Sequence, residues 1–140
     1  MNGRTVRLGT SAAVALTALL LVSAVAFAAP GPFVGAWEST DVDGSYQRLA
    51  IGGGPGEGHR VLYYDYGATV CGLDPDTGGI LYPALARGSG EAAGDVLSGE
   101  WAVWCLSHPA TFYASLGFEF TYDATTDTLT DGNGVVWSRK

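Results

Sequence analysis

From Phe112 to Tyr122 the chain alternates without a break, with Phe112, Ala114, Leu116, Phe118, Phe120 and Tyr122 on one side and Tyr113, Ser115, Gly117, Glu119 and Thr121 on the other. A period of two sustained this long sends an apolar row and a more polar row to opposite faces of an extended chain, the pattern of a half-buried antiparallel strand. Leu97 to Leu106 repeats it, with Leu97, Trp101, Val103 and Cys105 opposed to Ser98, Glu100, Ala102 and Trp104. Arg60 to Tyr66 is rich in Val, Leu and Tyr, which suit a pleated surface. After residue 30 no stretch carries a sustained helical stripe, so the expected class is all-β.

Turn chemistry falls where a meander needs it. Asp43-Gly44 suits a tight primed turn, because glycine adopts positive φ without steric cost. Gly52–Gly58, Asp74–Gly79, Gly88–Asp95, Asp123–Asp127 and Asp131–Gly134 are further breaks. Pro83 makes Ile80–Arg87 an edge-like or bulged strand. The count is about seven or eight strands with short connections, enough to close a small antiparallel up-and-down barrel and so remove exposed sheet edges.

The first residues stand apart from this pattern. Arg4 and Arg7 precede an apolar or small-residue run from Ser11 to Phe27, and Ala26-Phe27-Ala28 supplies a signal-peptidase site. Residues 1–28 are expected to be a secretory signal cleaved before Ala29, the alternative being an uncleaved anchor helix. Residues 29–34 then form a short linker, and 35–140 a single barrel domain. No second long apolar run follows, so no membrane association is expected after cleavage, and the protein should be extracellular.

Without the leader, Arg48, Arg60, Arg87, Arg139 and Lys140 face all fourteen acidic residues. Such a balance argues against nucleic acid, whose phosphates require clustered Lys and Arg. Cys71 and Cys105 are the only cysteines, and an oxidising compartment favours their pairing. The bond would close a loop worth about 3 to 4 kcal/mol in the chain-entropy model. The alternative, free thiols or metal ligands, lacks a Cys-x-x-Cys and finds neither His59 nor His108 at ligand spacing.

Gly35-x-Trp37 near the start of the first strand and Arg139 near the end of the last resemble the lipocalin and wider calycin arrangement. The resemblance implies a closed barrel end at which the arginine covers the tryptophan ring, giving Trp37, Trp137 and Arg139 a structural role in closure. In size the chain is similar to compact barrels of the avidin and fatty-acid-binding kind. The fuller series also resembles small secreted bacterial proteins of unassigned function: Gly35-x-Trp37, Asp41-x-Asp43-Gly44-Ser45, Ala68-x-x-Cys71-Gly72, Cys105, and Asp127-Thr128-Leu129-x-Asp131-x-x-Gly134-x-x-Trp137-x-Arg139.

Chemistry-bearing constellations are thin. Asp41–Ser45 begins like a calcium loop, but Tyr46 stands where such a loop needs glycine and Gly52 where it needs a bidentate glutamate. Hairpin chemistry is the better reading, and no metal or other cofactor is expected. His59 and His108 read as solvent-facing loop residues. Glu38, Asp65, Glu100 and Glu119 could in principle pair for acid–base work, yet Glu119 lies on a polar face and no nucleophile elbow is present. No catalytic residue is assigned, and the chain is expected not to be an enzyme. The aromatics are the better lead: Tyr63, Tyr64, Tyr66, Trp101 and Trp104 are candidates for a ligand site at a barrel mouth. Filling a narrow interior is the simpler use of the same rings. Sequence alone leaves open which of Trp101 and Trp104 points inward. The leading expectation is non-covalent binding of a small apolar or amphipathic molecule. The alternative is an extracellular protein-binding or inhibitor module with a filled core and an exposed aromatic patch.

Overall fold

The computed structural model describes residues 31–140 other than 55, 57 and 78; the expected signal segment, its cleavage site and the first two linker residues lie outside the described residues. The chain is all-β. Ten strands follow in order: β1 (Gly35–Thr40), β2 (Tyr46–Gly54), β3 (Gly58–Asp65), β4 (Leu73–Asp74), β5 (Ile80–Leu81), β6 (Ala84–Ala93), β7 (Val96–Cys105), β8 (Thr111–Asp123), β9 (Thr128–Asp131) and β10 (Val136–Arg139). Eight of them form a closed antiparallel barrel in which each strand pairs with the next, and β10 returns to pair with β1. The short β4–β5 hairpin is inserted between β3 and β6.

One end of the barrel is a floor and the other a mouth. The tight turns β2–β3, β6–β7 and β8–β9 lie at the floor. At the mouth lie the β1–β2 turn, the long 66–83 connection, the 106–110 segment and the β9–β10 turn. The Cys71–Cys105 disulfide ties the long connection to the mouth end of β7. Inside, Leu49, Ile51, Val61, Leu97, Phe118, Phe120, Leu129, Trp37 and Trp137 form one buried cluster. The outward rows carry Arg48, Arg60, Arg87, Glu38, Glu100 and Glu119. Among the described residues no helix is long and apolar enough to cross a membrane.

Three local expectations need correction. Gly88–Asp95 does not interrupt a strand: β6 runs to Ala93 and turns only at Gly94 and Asp95. The reason is volume. A Cβ on Gly90 or on Gly99 of β7 would lie 2.9 Å from the Phe118 ring, and one on Gly88 would collide with the backbone of Glu100. These glycines are inward positions where the backbones of β6 and β7 approach closely, Gly90 and Gly99 under the Phe118 ring, and are not loop formers. Ile80–Arg87 is likewise not one strand, because Pro83 separates β5 from β6. Finally, the register of β7 against β8 shifts between Val103 and Trp104, which pair with Ala114 and Phe112. Tyr113 is the extra residue of a bulge, so Phe112 leaves the inner row and packs outside against Trp104, ring centroids 5.9 Å apart.

The floor is sealed from both chain directions. Phe33, 1% exposed, plugs the barrel end, and its carbonyl accepts a 2.9 Å hydrogen bond from Trp37 Nε1. Arg139 lies over the Trp37 ring at 4.0 Å and faces it across the β1–β10 pair. Its Nη1 and Nη2 donate to the Val34 and Pro32 carbonyls at 2.7 Å each, and its Nε pairs with Asp127 at 2.9 Å. Gly35 makes this possible. Its φ is +152°, and a Cβ there would sit 2.5 Å from Arg139 Nη1. Arg139→Ala and Gly35→Ala are each expected to cost about 2 kcal/mol. Because both act on one contact, the double variant should fall well short of the sum. Urea denaturation of the three variants tests this, and strict additivity would refute the shared contact.

Candidate functional site

The five aromatic candidates divide between two faces. Tyr63 lies in the inward row of β3 between Val61 and Asp65, and Trp101 in that of β7. Tyr64, Tyr66 and Trp104 are outside. Strand alternation enforces this split: neighbours in one strand cannot share a face. Inside, Tyr63 and Trp101 stack at a tilt with centroids 5.2 Å apart, and Trp101 continues to Phe118 at 5.0 Å. Trp137, assigned above to closure, sits two residues nearer the mouth than Arg139, edge-on to Tyr63 at 5.8 Å. Its indole N–H donates to Asp131 Oδ2 at 3.3 Å.

These three rings line a mouth cavity of about 240 Å³ together with Ala84, Ala86, Val103, Leu116 and Val135. Gln47, Asp41, Asp131 and Asn133 add polar groups to its lining. None of those four figured among the candidate ligand residues. Gln47 was visible in principle, since Gln47, Leu49 and Ile51 form one alternate row of β2; Asn133 belongs to a turn and left no periodic signal. One indole is unmatched: Trp101 Nε1 is buried and has no hydrogen-bond partner. A buried donor left unpaired costs about 1 to 3 kcal/mol.

Beside the cavity, Asp65 organises the mouth. It is buried, and its carboxylate accepts from Ser45 Oγ at 3.0 Å, Gly67 N at 3.0 Å, Tyr63 OH at 3.1 Å and Gln47 Nε2 at 3.4 Å. Asp43 extends the tie, accepting from Ser45 N and, at 2.7 Å, from Thr69 Oγ1 of the disulfide-bearing connection. Those bonds hold its carboxyl below the usual range. Asp65 therefore fixes loops. The other carboxylates weighed for acid–base work are outside: Glu38 accepts from Tyr46 OH and pairs with Lys140, and Glu100 and Glu119 lie in outward rows. Among the described residues no three His, Cys, Asp or Glu side chains gather to hold a metal ion.

His59 also needs correction. It is not a solvent-facing loop residue but 4% exposed, at the second position of β3, with neither ring nitrogen hydrogen-bonded and its ring edge-on to Phe33 at 5.8 Å. The β2–β3 turn is tight enough for pairing to resume at Gly58, which turns the next side chain inward. His108 is exposed.

On the outer wall, Tyr46, Tyr64 and Tyr66 pack together, with Tyr64 and Tyr66 edge to face at 4.6 Å. Leu85 links Tyr64 to Trp104 across neighbouring strands. Arg87 covers the Trp104 ring at 5.0 Å. A shallow recess there is lined by Arg48, Leu62, Tyr64, Tyr66 and Lys140.

Tyr63 supplies a pH test of the mouth. Burial first, and then the Asp65 charge, raise its phenol well above the ordinary tyrosine range. A group whose folded pKa is raised contributes stability that is complete below its unfolded pKa and is lost as pH climbs above it. Alkaline unfolding followed by near-ultraviolet circular dichroism should therefore set in above the ordinary tyrosine range. Tyr63→Phe should move its midpoint to higher pH. An unmoved midpoint would show that Tyr63 is not the group responsible.

Compared with known proteins, the chain matches no family model, no curated protein and no solved structure.

Proposed function

We propose that this is a secreted, calycin-like barrel that binds a small, largely apolar molecule at its mouth without chemical conversion. The observation that carries the reading is a mouth cavity walled by the rings of Tyr63, Trp101 and Trp137 and by aliphatic side chains, with Asp41, Gln47, Asp131 and Asn133 as its polar groups. Binding sites of this kind combine an apolar lining with a few polar groups that fix orientation. The cavity volume of about 240 Å³ lies below the roughly 300–1,000 Å³ of drug-sized sites, which favours a ligand of one or two rings. Asp41 and Asp131 in the lining disfavour an anion, so the ligand is neutral or cationic, and the side-chain amide of Asn133 suits a carbonyl or hydroxyl acceptor.

Secretion is supported by the disulfide and by the leader-like first residues of the sequence. The calycin reading is supported by the closed meander and the Trp37–Arg139 floor. A protein-binding module needs no cavity; the outer tyrosine and tryptophan cluster supports that second reading, and the mouth cavity favours the first.

Acetophenone is a suitable probe, because it offers one ring and one acceptor, and ethylbenzene is its counterpart without the acceptor. Titration followed by tryptophan fluorescence should show acetophenone binding several-fold tighter, the worth of roughly one hydrogen bond. Asn133→Ala should abolish that difference while leaving circular dichroism unchanged. Equal binding of the two probes by the wild-type protein, or of neither, would overturn the proposal.

A further inference from the structure

The barrel wall is incomplete on one side of the mouth. β8 pairs with β7 along nearly its whole length, from Thr111 to Thr121. On its other side, β9 covers only Phe120–Asp123. Thr111–Glu119 thus presents an open strand edge, and among the described residues no backbone hydrogen bond from β9, β10 or a loop reaches it. The edge is not short, carries no proline or lysine, and exposes Phe112, Tyr113 and Leu116. Folded proteins ordinarily protect such an edge by those devices or by a bulge, and the bulge here, at Tyr113, leaves Ala114–Glu119 regular.

Beside it lies a cleft of about 390 Å³ between Gly117–Phe120 and the β9–β10 turn, with Trp101 in its lining. The cleft's charge has one sign. Glu119 and Asp131 line it, Glu100 stands opposite Gly117 in the next strand, and Arg48, Arg60 and Arg87 belong to β2, β3 and β6, beyond β7.

We propose that this notch is a site of β-strand addition, where an extended polypeptide segment of neutral to basic character pairs with the free edge of β8. Every second residue of a regular antiparallel edge directs both its N–H and its C=O outward, so beyond the bulge at Tyr113 the segment Ala114–Glu119 offers a ladder to a partner backbone. The partner's alternate side chains would enter the cleft toward Trp101 and Phe118, and those between them would meet Glu100 and Glu119. The occupant's chemistry follows from the site. Unpaired backbone groups call for a backbone, the cleft for apolar side chains at every second position, and the carboxylates for lysine or arginine at the others. This inference goes beyond small-molecule binding and does not depend on it.

The test uses the full barrel and an acetylated, amidated hexapeptide of alternating valine and lysine, with hydrogen exchange read residue by residue. The peptide should slow exchange at alternate amides of residues 114–119 by about tenfold or more, as new ladder bonds do. N-methylating the peptide at the positions that face β8 should remove the protection, and replacing lysine by glutamate should weaken it. This readout needs no small molecule, so the failure of acetophenone binding and the failure of strand addition are separate results. Protection elsewhere, or equal protection by the N-methylated peptide, would overturn the proposal. So would concentration-dependent protection of β8 without peptide, accompanied by dimerisation on size exclusion, since the occupant would then be a second copy of this chain.

Discussion

Volume governs this barrel. Eight strands enclose a space only just wide enough for side chains, and the sequence sends Trp37, Trp101, Trp137, Phe118, Phe120 and Tyr63 into it. The conflict is resolved along one wall, where Gly88, Gly90 and Gly99 remove three side chains from the inner rows and Gly90 and Gly99 let the Phe118 ring lie against backbone. With the large rings concentrated in the lower half and the middle, the mouth half is lined by Ala84, Ala86, Val103 and Val135. The cavity is the space those smaller residues leave. Packing and site are thus one arrangement, since where the large rings are admitted also sets where the open volume falls.

The two ends solve different problems with the same chemistry. At the floor, Arg139 gathers carbonyls, a carboxylate and an indole face around one cation. At the mouth, Asp65 gathers hydroxyl, amide and phenol donors around one anion. Each charge is held by polar groups from several segments, so each ties together segments distant in sequence. The floor is closed by Phe33. The mouth is framed, by the disulfide and by Asp43, and stays open.

Much of this was legible from residue pattern. Alternation identified β7 and β8, and the Asp-Gly and Gly-rich breaks identified most turns, because period and turn chemistry are local properties. The failures have local causes too. The bulge at Tyr113 depends on how β7 and β8 register, which no single strand records, so Phe112 was placed on the wrong face. Glycine at 88 and 90 carries the same letter whether it makes a turn or yields space to a ring. His59 follows a glycine-rich stretch and looked exposed, but strand pairing resumed one residue before it. Tyr63, Tyr64 and Tyr66 formed one cluster in sequence and became two, since adjacent positions face opposite ways. The Trp101 inner row was correctly grouped, although its direction needed the other strands.

The β1–β10 pairing has a consequence for how the molecule is made. Arg139 Nη1 and the Val34 carbonyl are 105 positions apart, whereas the connections between neighbouring strands of the meander are short apart from the 66–83 segment. Loop-closure entropy and the dependence of folding rate on contact separation place that junction late. The meander assembles strand by strand from neighbours, and the cylinder closes only once its two outermost strands find each other. Until then the sheet is an open ribbon with unsatisfied margins, and Phe33 has no enclosure to plug. The seal made by Phe33, Trp37 and Arg139 therefore carries the largest closure cost in the barrel, and the residues that form it decide whether a finished meander becomes a vessel.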